Sequence, residues 1–519
     1  MKNLTRRKFV TLAGCSIGTA VIGSGFSCGD DSSSHKSHDP ATDDDDDNDN
    51  FSSNIREPER LIPVMAETDV LVIGGGPAGL SAALAAANEG VNVMIVDRNA
   101  SYGGVITQCT MGSFAWYRYA DTNDAGGILY EFEDRAKELG ANIDIFGIVA
   151  GTPFEKLLEA MGYMENGEST YQIYDSEMFK YVADTMLLES DVIPVLHCLC
   201  VGAVMDGNTI KGVITESKSG RQAILAKRVI DATGDGDIAY FSGAPFRKDP
   251  KDQLMEVTTN FSCVGVNLIK FAAYTLMQNG RMGDWTSETC GKEDDMFSTH
   301  CFEPFEKAKA AGEIPEDWVI RAYPGGFTPH GEILSINAVH QWSVDGTDVW
   351  DLTQAEIEGR KRSVAAMDAL KKYAPGFEKA KLRNFSTNLG VRETRKIIGA
   401  YNITEHDVRN EARFDDTIGI CPEFLDGYGV LCLPTTGRYF QIPYGIILPQ
   451  TVENLLVAGR CVAGDKLSHA ATRQMVCCMA TGQGAGVAAA TSLKYNTTCR
   501  NVSMTRVQSA LEKQGVRIK

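Results

Sequence analysis

Three glycines with the spacing Gly74-x-Gly76-x-x-Gly79 carry the clearest chemical signature in the chain. They lie between the apolar run 69–73, which predicts a buried strand, and the Ala/Leu-rich stretch 77–89, which predicts a helix. In such a turn the first glycine permits a tight bend, the second lets the backbone approach a pyrophosphate, and the third allows close packing of helix on strand. Because the helix N-terminus attracts phosphate, these residues predict a nucleotide-binding turn.

An acidic residue completes this unit. The apolar run 92–96 predicts a second parallel strand and ends at Asp97, where a carboxylate accepts hydrogen bonds from a ribose 2′-OH. An acid at this position disfavours a 2′-phosphate. Motifs of this kind serve both FAD and NAD, so the unit alone does not choose between the two cofactors.

Two later segments, 228–237 and 453–465, each join an apolar strand to a cluster of small residues. The ends of parallel strands line the ligand crevice in sheets of this type, so both segments are expected at the nucleotide. Before the first of them, residues 192–226 alternate short β-rich runs with turn residues, a pattern that predicts a small antiparallel meander.

Taken together, these segments resemble a known family. The chain resembles the FAD-dependent oxidoreductases that include heterodisulfide-reductase-A-like flavoproteins, and is more distantly similar to the succinate dehydrogenase and fumarate reductase flavoproteins. The matching segments are the glycine turn, Ser219-GRQAILAKRVIDATGDGDIAYFSGAP, Gly390-VRETRKIIGAYNITEHDV, Gln441-IPYGIILP and Asn454-LLVAGRCVAGDKLSHAATRQMVCCMATGQGAGVAAA. The resemblance implies an α/β fold, in which a Rossmann-like parallel sheet with a β-meander binds FAD and carries an inserted mixed α+β cap.

The resemblance also assigns cofactor-binding residues. Besides the three motif glycines and Asp97, it implies that the following residues contact FAD: Arg98 and Gly104 at the adenosine end, Gly234 and Asp235 at the ribityl or pyrophosphate, and Gly459, Arg460 and Asp465 from the C-terminal side. A helix beginning near Arg473 would direct its positive N-terminus at the flavin ring, where it stabilises the reduced flavin.

Hydride exchange at flavin N5 requires a group that handles the accompanying proton. Four residues are catalytic candidates: His330, Arg392, His469 and Arg473. His330 also suits a plain turn, and Arg392 next to Glu393 also suits a structural ion pair. His469 and Arg473 lie one helical turn apart on the segment expected at the flavin.

The chain contains no second complete Gly-x-Gly-x-x-Gly unit, since Gly482-x-Gly484-x-Gly486 lies in an Ala-rich stretch typical of close helix packing. The cysteines lack the short regular spacing of iron–sulfur ligands, so no metal is expected. We therefore expect an enzyme that exchanges hydride between a small organic substrate and FAD, with a membrane quinone or a cytochrome as electron carrier. The alternatives are an electron-transfer subunit of a heterodisulfide-reductase-like complex and a non-catalytic flavin-binding module.

The first 28 residues indicate export. They carry a charge of +4, including the pair Arg6-Arg7, followed by a moderately apolar stretch, and they resemble a twin-arginine signal. Residues 29–50 carry −8 and are too polar to bury a core, so a disordered acidic tether is expected over 29–65. Cys28 lies between the two and is a candidate for lipid anchoring at the extracytoplasmic membrane face. Cleavage near Cys28 with release into the periplasm, and retention as an uncleaved helix, are the alternatives.

The net charge of −18 over 519 residues argues against a nucleic-acid partner, because proteins that bind nucleic acids present a basic surface to the phosphates. The organisation predicted from these patterns is an export signal (1–28), a tether (29–65), the first part of an FAD-binding domain (66–244), a substrate cap (245–440) and the C-terminal part of the FAD-binding domain (441–519).

Overall fold

The structure, a computed structural model, describes residues 57–115, 118–119, 123–142, 164–165, 168–169, 171–277, 281–282, 296–297, 300–328, 330–433 and 437–519. The chain divides after Arg60 into two compact units. The fold described below is that of the second unit, Leu61–Lys519. The predicted export signal, Cys28 and most of the predicted tether lie outside the described residues. In the described part of the chain, no helix combines the length and the apolar character needed to cross a membrane.

The longer elements are numbered in chain order. The strands are β1 (Val64–Ile73), β2 (Val93–Val96), β3 (Ile193–Val195), β4 (Leu199–Asp206), β5 (Thr209–Ser217), β6 (Gly220–Asp231), β7 (Val257–Val264), β8 (Ile320–Phe327), β9 (Ile333–Gln341), β10 (Lys381–Phe385), β11 (Thr417–Pro422), β12 (Leu425–Gly427), β13 (Val430–Cys432), β14 (Tyr439–Pro443) and β15 (Leu455–Val457). The helices are α1 (Pro77–Asn88), α2 (Ile128–Glu138), α3 (Ser176–Glu189), α4 (Leu268–Met277), α5 (Glu303–Ala310), α6 (Val349–Tyr373), α7 (Lys466–Thr472), α8 (Met475–Lys494) and α9 (Met504–Lys513).

Shorter elements connect these. They are the helical turns Val105–Gln108, Asp237–Phe241, Lys251–Gln253, Glu405–Arg409 and Tyr444–Ile446, and the strand pairs Ser113–Ala115 with Tyr171–Ile173, Arg118–Tyr119 with Asn123–Asp124, Met164–Glu165 with Glu168–Ser169, Phe246–Arg247 with Lys396–Ile397, and Arg281–Met282 with Met296–Phe297.

The first large sheet has the strand order β4-β5-β6-β1-β2-β3, and β15 also pairs with β6. The pairs β6–β1, β1–β2, β2–β3 and β6–β15 are parallel, whereas β4, β5 and β6 form the predicted antiparallel meander. Ile73 is in register with both Val96 and Asp231, and Asp231 is in register with Val457. Four parallel strands therefore end at one edge, which is where ligands bind in sheets of this type. The predicted α/β fold is confirmed.

Two helices pack in parallel on this sheet. A Cβ atom at Gly482 of α8 would lie 2.1 Å from the carbonyl oxygen of Ala78 in α1, and one at Gly486 would lie 2.2 Å from that of Ala82. The glycines therefore bring the two helices into backbone contact, as expected for that stretch. Because Gly482 is level with Ala78, the N-terminus of α8 extends about 9 Å past that of α1, at a rise of ~1.5 Å per residue.

A second, antiparallel sheet, with the order β8-β9-β7-β10, forms the cap. One of its faces packs with α6 around a separate apolar core that includes Phe261, Ile336, Leu370 and Phe377. This core is built from residues 261–380. In contrast, Ile397, Ile403, Ile418 and Phe440 lie in the core of the first sheet, whereas the sequence predicts residues 245–440 together in the cap. The C-terminal quarter of that range thus packs with the FAD-binding unit.

Candidate active site

The glycine turn has two closed positions and one open position. A Cβ atom at Gly79 would lie 1.7 Å from the Gly74 carbonyl oxygen, and Gly74 itself has φ +96° and lies against Ala232. At Gly76 a Cβ atom would meet, among the described residues, only Gly104 Cα, at 3.7 Å. Gly74 and Gly79 therefore serve the packing of turn, strand and helix, while Gly76 leaves the space at the start of α1 open. This cradle fits a cofactor phosphate.

Asp97 holds the turn in place. Its buried carboxylate accepts hydrogen bonds from the backbone N–H of Gly75 at 2.6 Å and from that of Asn99 at 2.7 Å. A carboxylate has further lone pairs, so these bonds leave capacity for a ribose hydroxyl. The next residue, Arg98, is exposed. Contacts of Asp97 and Arg98 with FAD remain predictions.

Residues from distant parts of the chain meet beside the turn. Arg460 donates from Nη2 to Asp235 Oδ1 at 3.0 Å, and Thr394 donates from its hydroxyl to the same oxygen at 2.9 Å. A Cβ atom at Gly234, which has φ +79°, would lie 2.7 Å from Arg460 Nη2. Arg460 Nη1 is buried and has no hydrogen-bond partner among the described residues. An orphaned guanidinium N–H beside the glycine turn fits an anionic cofactor group.

The two remaining predicted FAD contacts serve the protein itself in this structure. Gly459 has φ +85°, and its N–H donates to Thr481 Oγ1 at 3.1 Å. Asp465 is the N-cap of α7, since its carboxylate accepts from the N–H of Ser468 at 2.7 Å and from that of Glu405 at 2.8 Å. Both residues thus anchor the segment that leads to α8, and their contacts with FAD remain predictions.

Three of the four catalytic candidates come together at the junction of the cap sheet with α7. His469 Nε2 lies 3.0 Å from the main-chain carbonyl oxygen of Arg392, and Arg473 follows His469 by one turn. Arg392 reaches the cap by donating to Glu256 at 2.7 Å and to Thr258 Oγ1 at 3.0 Å. Arg473 follows α7 immediately and α8 begins at Met475, as the predicted helix start near Arg473 required.

The hydrogen bond of His469 determines its protonation. A carbonyl oxygen only accepts, so Nε2 carries the hydrogen. Burial lowers the pKa of His469 well below its usual range, and the positive charges of Lys396, Arg473 and Arg460 contribute to this. The ring is therefore neutral, and Nδ1 holds a bare lone pair. Nδ1 is buried and has no hydrogen-bond partner among the described residues.

Arg473 is also buried, with 11% of its side chain exposed. Its Nη2 donates to the carboxylate of Asp426 at 2.9 Å and to the carbonyl of the same residue. Burial lowers the pKa of Arg473; Asp426 opposes this change, and the charge of Arg392 adds to it. Its Nε has no hydrogen-bond partner among the described residues.

His330 does not join this group. It is exposed in the turn between β8 and β9. The residues that Arg392 contacts lie instead at the start of β7. There Thr258 pairs with His340, which is at the end of β9 that is remote from His330. A strand rises by ~3.3 Å per residue, so the length of the β8–β9 hairpin separates His330 from the side chain of Arg392. The structure therefore favours the turn role for His330.

Several residues of the site were not predicted, although one sequence pattern points to them. In β7 the polar residues Thr258, Asn260 and Ser262 alternate with other residues, which places them on one face of the cap sheet. Asn260 donates to the carbonyl of Cys109 at 2.9 Å, so this face looks toward the FAD-binding unit. Its Oδ1 is buried and has no hydrogen-bond partner in the described residues. The signal is the recurrence of polar residues at positions 258, 260 and 262, although Thr259 between the first two is polar as well.

The strand order, the open glycine turn and the polar junction under the cap define a dinucleotide-binding α/β protein. Comparison with known proteins gives the family. The chain belongs to the FAD dependent oxidoreductase family, whose sequence model matches residues 69–511. The protein is thus an oxidoreductase with FAD as its cofactor.

Curated relatives match shorter segments. Thiamine thiazole synthase of Methanococcus aeolicus is 26% identical over 183 residues, which cover 33% of this chain and 57% of the relative. Digeranylgeranylglycerophospholipid reductase 1 of Methanopyrus kandleri is 30% identical over 170 residues, which cover 32% of this chain and 40% of the relative. The chain therefore matches about half of the length of these relatives.

Solved structures match more of the chain at lower identity. A geranylgeranyl bacteriochlorophyll reductase-like protein of Thermoplasma acidophilum is 13% identical, with a TM-score of 0.45 and coverage of 87% of this chain and 85% of that one. L-proline dehydrogenase of P. horikoshii is 12% identical, with a TM-score of 0.38 and coverage of 88% of this chain and 100% of that one.

Proposed function

We propose that this protein is an exported FAD-dependent dehydrogenase or reductase that acts on a small organic substrate held between the cap sheet and α7. The electrons pass to or from a membrane quinone or a periplasmic cytochrome. The observation that carries the proposal is the buried Nδ1 of neutral His469 at this junction, for which the described part of the chain offers no hydrogen-bond partner.

Bound FAD supplies hydride exchange with the substrate. The residues of the chain hold the cofactor and handle the proton. The glycine turn, Asp235 and Arg460 bind the cofactor, and the cap sheet excludes water from the junction. When a substrate carbon bearing an O–H or N–H group is oxidised, a proton must leave as well, and Nδ1 of His469 accepts it. Because its pKa is lowered, this nitrogen is unprotonated and available at neutral pH.

Anaerobic reduction of the purified FAD-loaded protein tests the proposal. Candidate alcohols, amines and organic acids are added singly, and the loss of oxidised-flavin absorbance is followed. Direct bleaching by one of these donors, together with slow bleaching by NADH, is the expected result. Rapid turnover with NADH alone contradicts the proposal. Bleaching only through a partner protein supports the electron-transfer subunit, and no bleaching by any donor supports the binding module.

Export by the twin-arginine route is the second part of the proposal. It is supported by Arg6-Arg7 ahead of an apolar stretch, and anchoring at Cys28 is supported by the polar run that follows this cysteine. Changing both arginines to lysine is expected to retain the protein in the cytoplasm. Cys28→Ala is expected to release exported protein from the membrane fraction. Unchanged fractionation of the double-lysine variant contradicts export by this route.

A further inference from the structure

Three guanidinium groups gather where the cap sheet meets α7. Arg392 pairs with Glu256 at 2.7 Å, and Arg473 pairs with Asp426 at 2.9 Å. Arg321 lies in β8 two residues before Tyr323 and so on the same face of that strand, and its charge acts on His340, whose Nδ1 lies 3.5 Å from Glu256. Arg392 and Arg473 are each matched by one carboxylate, whereas Arg321 has no ion pair within the described residues, so the group carries one positive charge in surplus.

Two neighbouring side chains link Arg321 to the other arginines. Burial raises the pKa of Tyr323, and the charges of Arg321 and Arg392 oppose this change. Burial lowers the pKa of His340; the hydrogen bond to Glu256 opposes this, and the charges of Arg392 and Arg321 lower it further. His340 is therefore neutral, so it neither adds to nor balances the surplus charge.

Arg473 offers a donor for the missing anion. Its Nε–H is buried without an acceptor among the described residues, although the neighbouring Nη2 donates to Asp426. A buried donor without an acceptor is costly, and the cost is larger when the group is charged. A ligand oxygen at Nε removes this cost and adds a charge-assisted hydrogen bond.

The position of Arg473 also orients a ligand. His469 precedes it by one helical turn, which is about 6 Å along the axis. The polar face of β7 lies across the junction, with Asn260 Oδ1 buried and unpartnered in the described residues. A small molecule with its anionic end at Arg473 therefore has its body beside Nδ1 of His469.

We infer that Arg473, Arg392 and Arg321 form a subsite that binds the carboxylate of the substrate, so that the substrate is a small organic acid. The surplus of one positive charge matches a monoanion, whereas a dianionic phosphate would leave a buried negative charge. This inference rests on the proposed function, because it names the substrate class of the same site.

Ligand binding to the FAD-loaded full-length protein tests the subsite without turnover. Monocarboxylates from acetate to benzoate are titrated, each against its neutral amide, and binding is followed by flavin difference absorbance and by calorimetry. Each acid is expected to bind more tightly than its amide. Arg473→Lys keeps the charge but loses Nε, and Arg321→Gln loses the charge at a half-buried position. Each variant is expected to bind the acids about tenfold more weakly, as expected for loss of a charge-assisted hydrogen bond.

Arg383→Gln is the matched control, since Arg383 is an exposed arginine of the same sheet and lies 3.8 Å from Glu332. Its affinity for the acids is expected to equal that of wild type. Because Arg473→Lys removes a contact with Asp426, FAD content and melting temperature are recorded for each variant, and Arg321→Gln provides an independent reading.

Equal binding of acids and amides, or loss of affinity in the Arg383 control alone, overturns the inference. Equally tight binding of phosphate or chloride also overturns it. Acid binding without bleaching by any donor supports the subsite and contradicts the proposed turnover. Bleaching by a donor that no carboxylate displaces contradicts the subsite and leaves the proposed function in place.

Discussion

Gly482 in α8 faces Ala78 in α1 so closely that a Cβ atom at residue 482 would lie 2.1 Å from the Ala78 carbonyl oxygen. This contact sets the spacing of the two helices, and Ala78 directly follows the residue that begins α1 at the nucleotide turn. The position of the α8 N-terminus relative to the cofactor site is therefore determined by a glycine far from the glycine turn in sequence.

Gly482→Ala is expected to destabilise the protein. Alanine favours a helix by about 1 kcal/mol over glycine, but forcing the helices apart costs about 1–3 kcal/mol. We expect a net loss of up to ~2 kcal/mol, together with reduced FAD content, in denaturant unfolding of the FAD-loaded protein. Gly419→Ala is the control, since its Cβ atom would be 3.6 Å from the nearest atom. Equal stability of the two variants would show that the helix contact is not rigid.

Gly76→Ala is expected to separate cofactor binding from folding. A Cβ atom there meets only Gly104 Cα at 3.7 Å, so the apoprotein should unfold at the wild-type temperature. The added methyl group occupies the space left open for phosphate, so FAD affinity should fall at least about tenfold. The comparison is Gly79→Ala, whose Cβ atom would lie 1.7 Å from the Gly74 carbonyl oxygen and which should lose both stability and FAD. Wild-type FAD affinity in Gly76→Ala would exclude a phosphate at this turn.

His469→Gln tests Nδ1 while retaining the hydrogen bond to Arg392. The glutamine Nε2 matches the histidine Nε2 and can donate to the same carbonyl oxygen, but the variant has no atom equivalent to Nδ1. We expect FAD content and melting temperature to stay unchanged, and flavin reduction by the substrate to slow by about 10²–10⁴-fold. Because the pKa of His469 is lowered, protonation of this residue should reduce the wild-type rate only at a pH well below 6.5. A wild-type rate in His469→Gln would remove His469 from the mechanism.

Glu256 makes stability depend on acid pH. Burial alone would raise its pKa, but the hydrogen bond with His340 and the charge of Arg392 outweigh burial and lower the pKa from 4.5 to about 2. Because the folded pKa lies below the unfolded value, the stabilisation is complete above pH 4.5 and is lost as the pH falls through about 2. The shift corresponds to about 3 kcal/mol.

Urea unfolding between pH 7 and pH 3 measures this dependence. Glu256→Gln should be less stable than wild type at pH 7 and should lose less stability than wild type on acidification. Glu316→Gln, at an exposed position, is the control and should follow wild type. A wild-type pH slope in Glu256→Gln would show that Glu256 makes no net contribution in the folded state.

The sequence alone determined the local units of this protein. The strand–turn–helix–strand unit that ends at Asp97 and the meander were predictable, because hydrophobic periodicity and turn residues act over a few neighbouring positions. The helix start near Arg473 was implied by the family resemblance. The same periodicity in β7 shows the polar face of the cap. Family resemblance added FAD.

Only the tertiary structure decided which distant residues meet. Asp235 and Arg460 are far apart in the chain, and strand order alone brings them to one edge of the sheet. Arg392 was open to interpretation as one half of a structural pair with Glu393, yet its side chain binds Glu256 while its carbonyl orients His469. The ionisation of His469 likewise depends on burial and on cations from other segments. Such partners are set by long-range packing, which local sequence patterns do not encode.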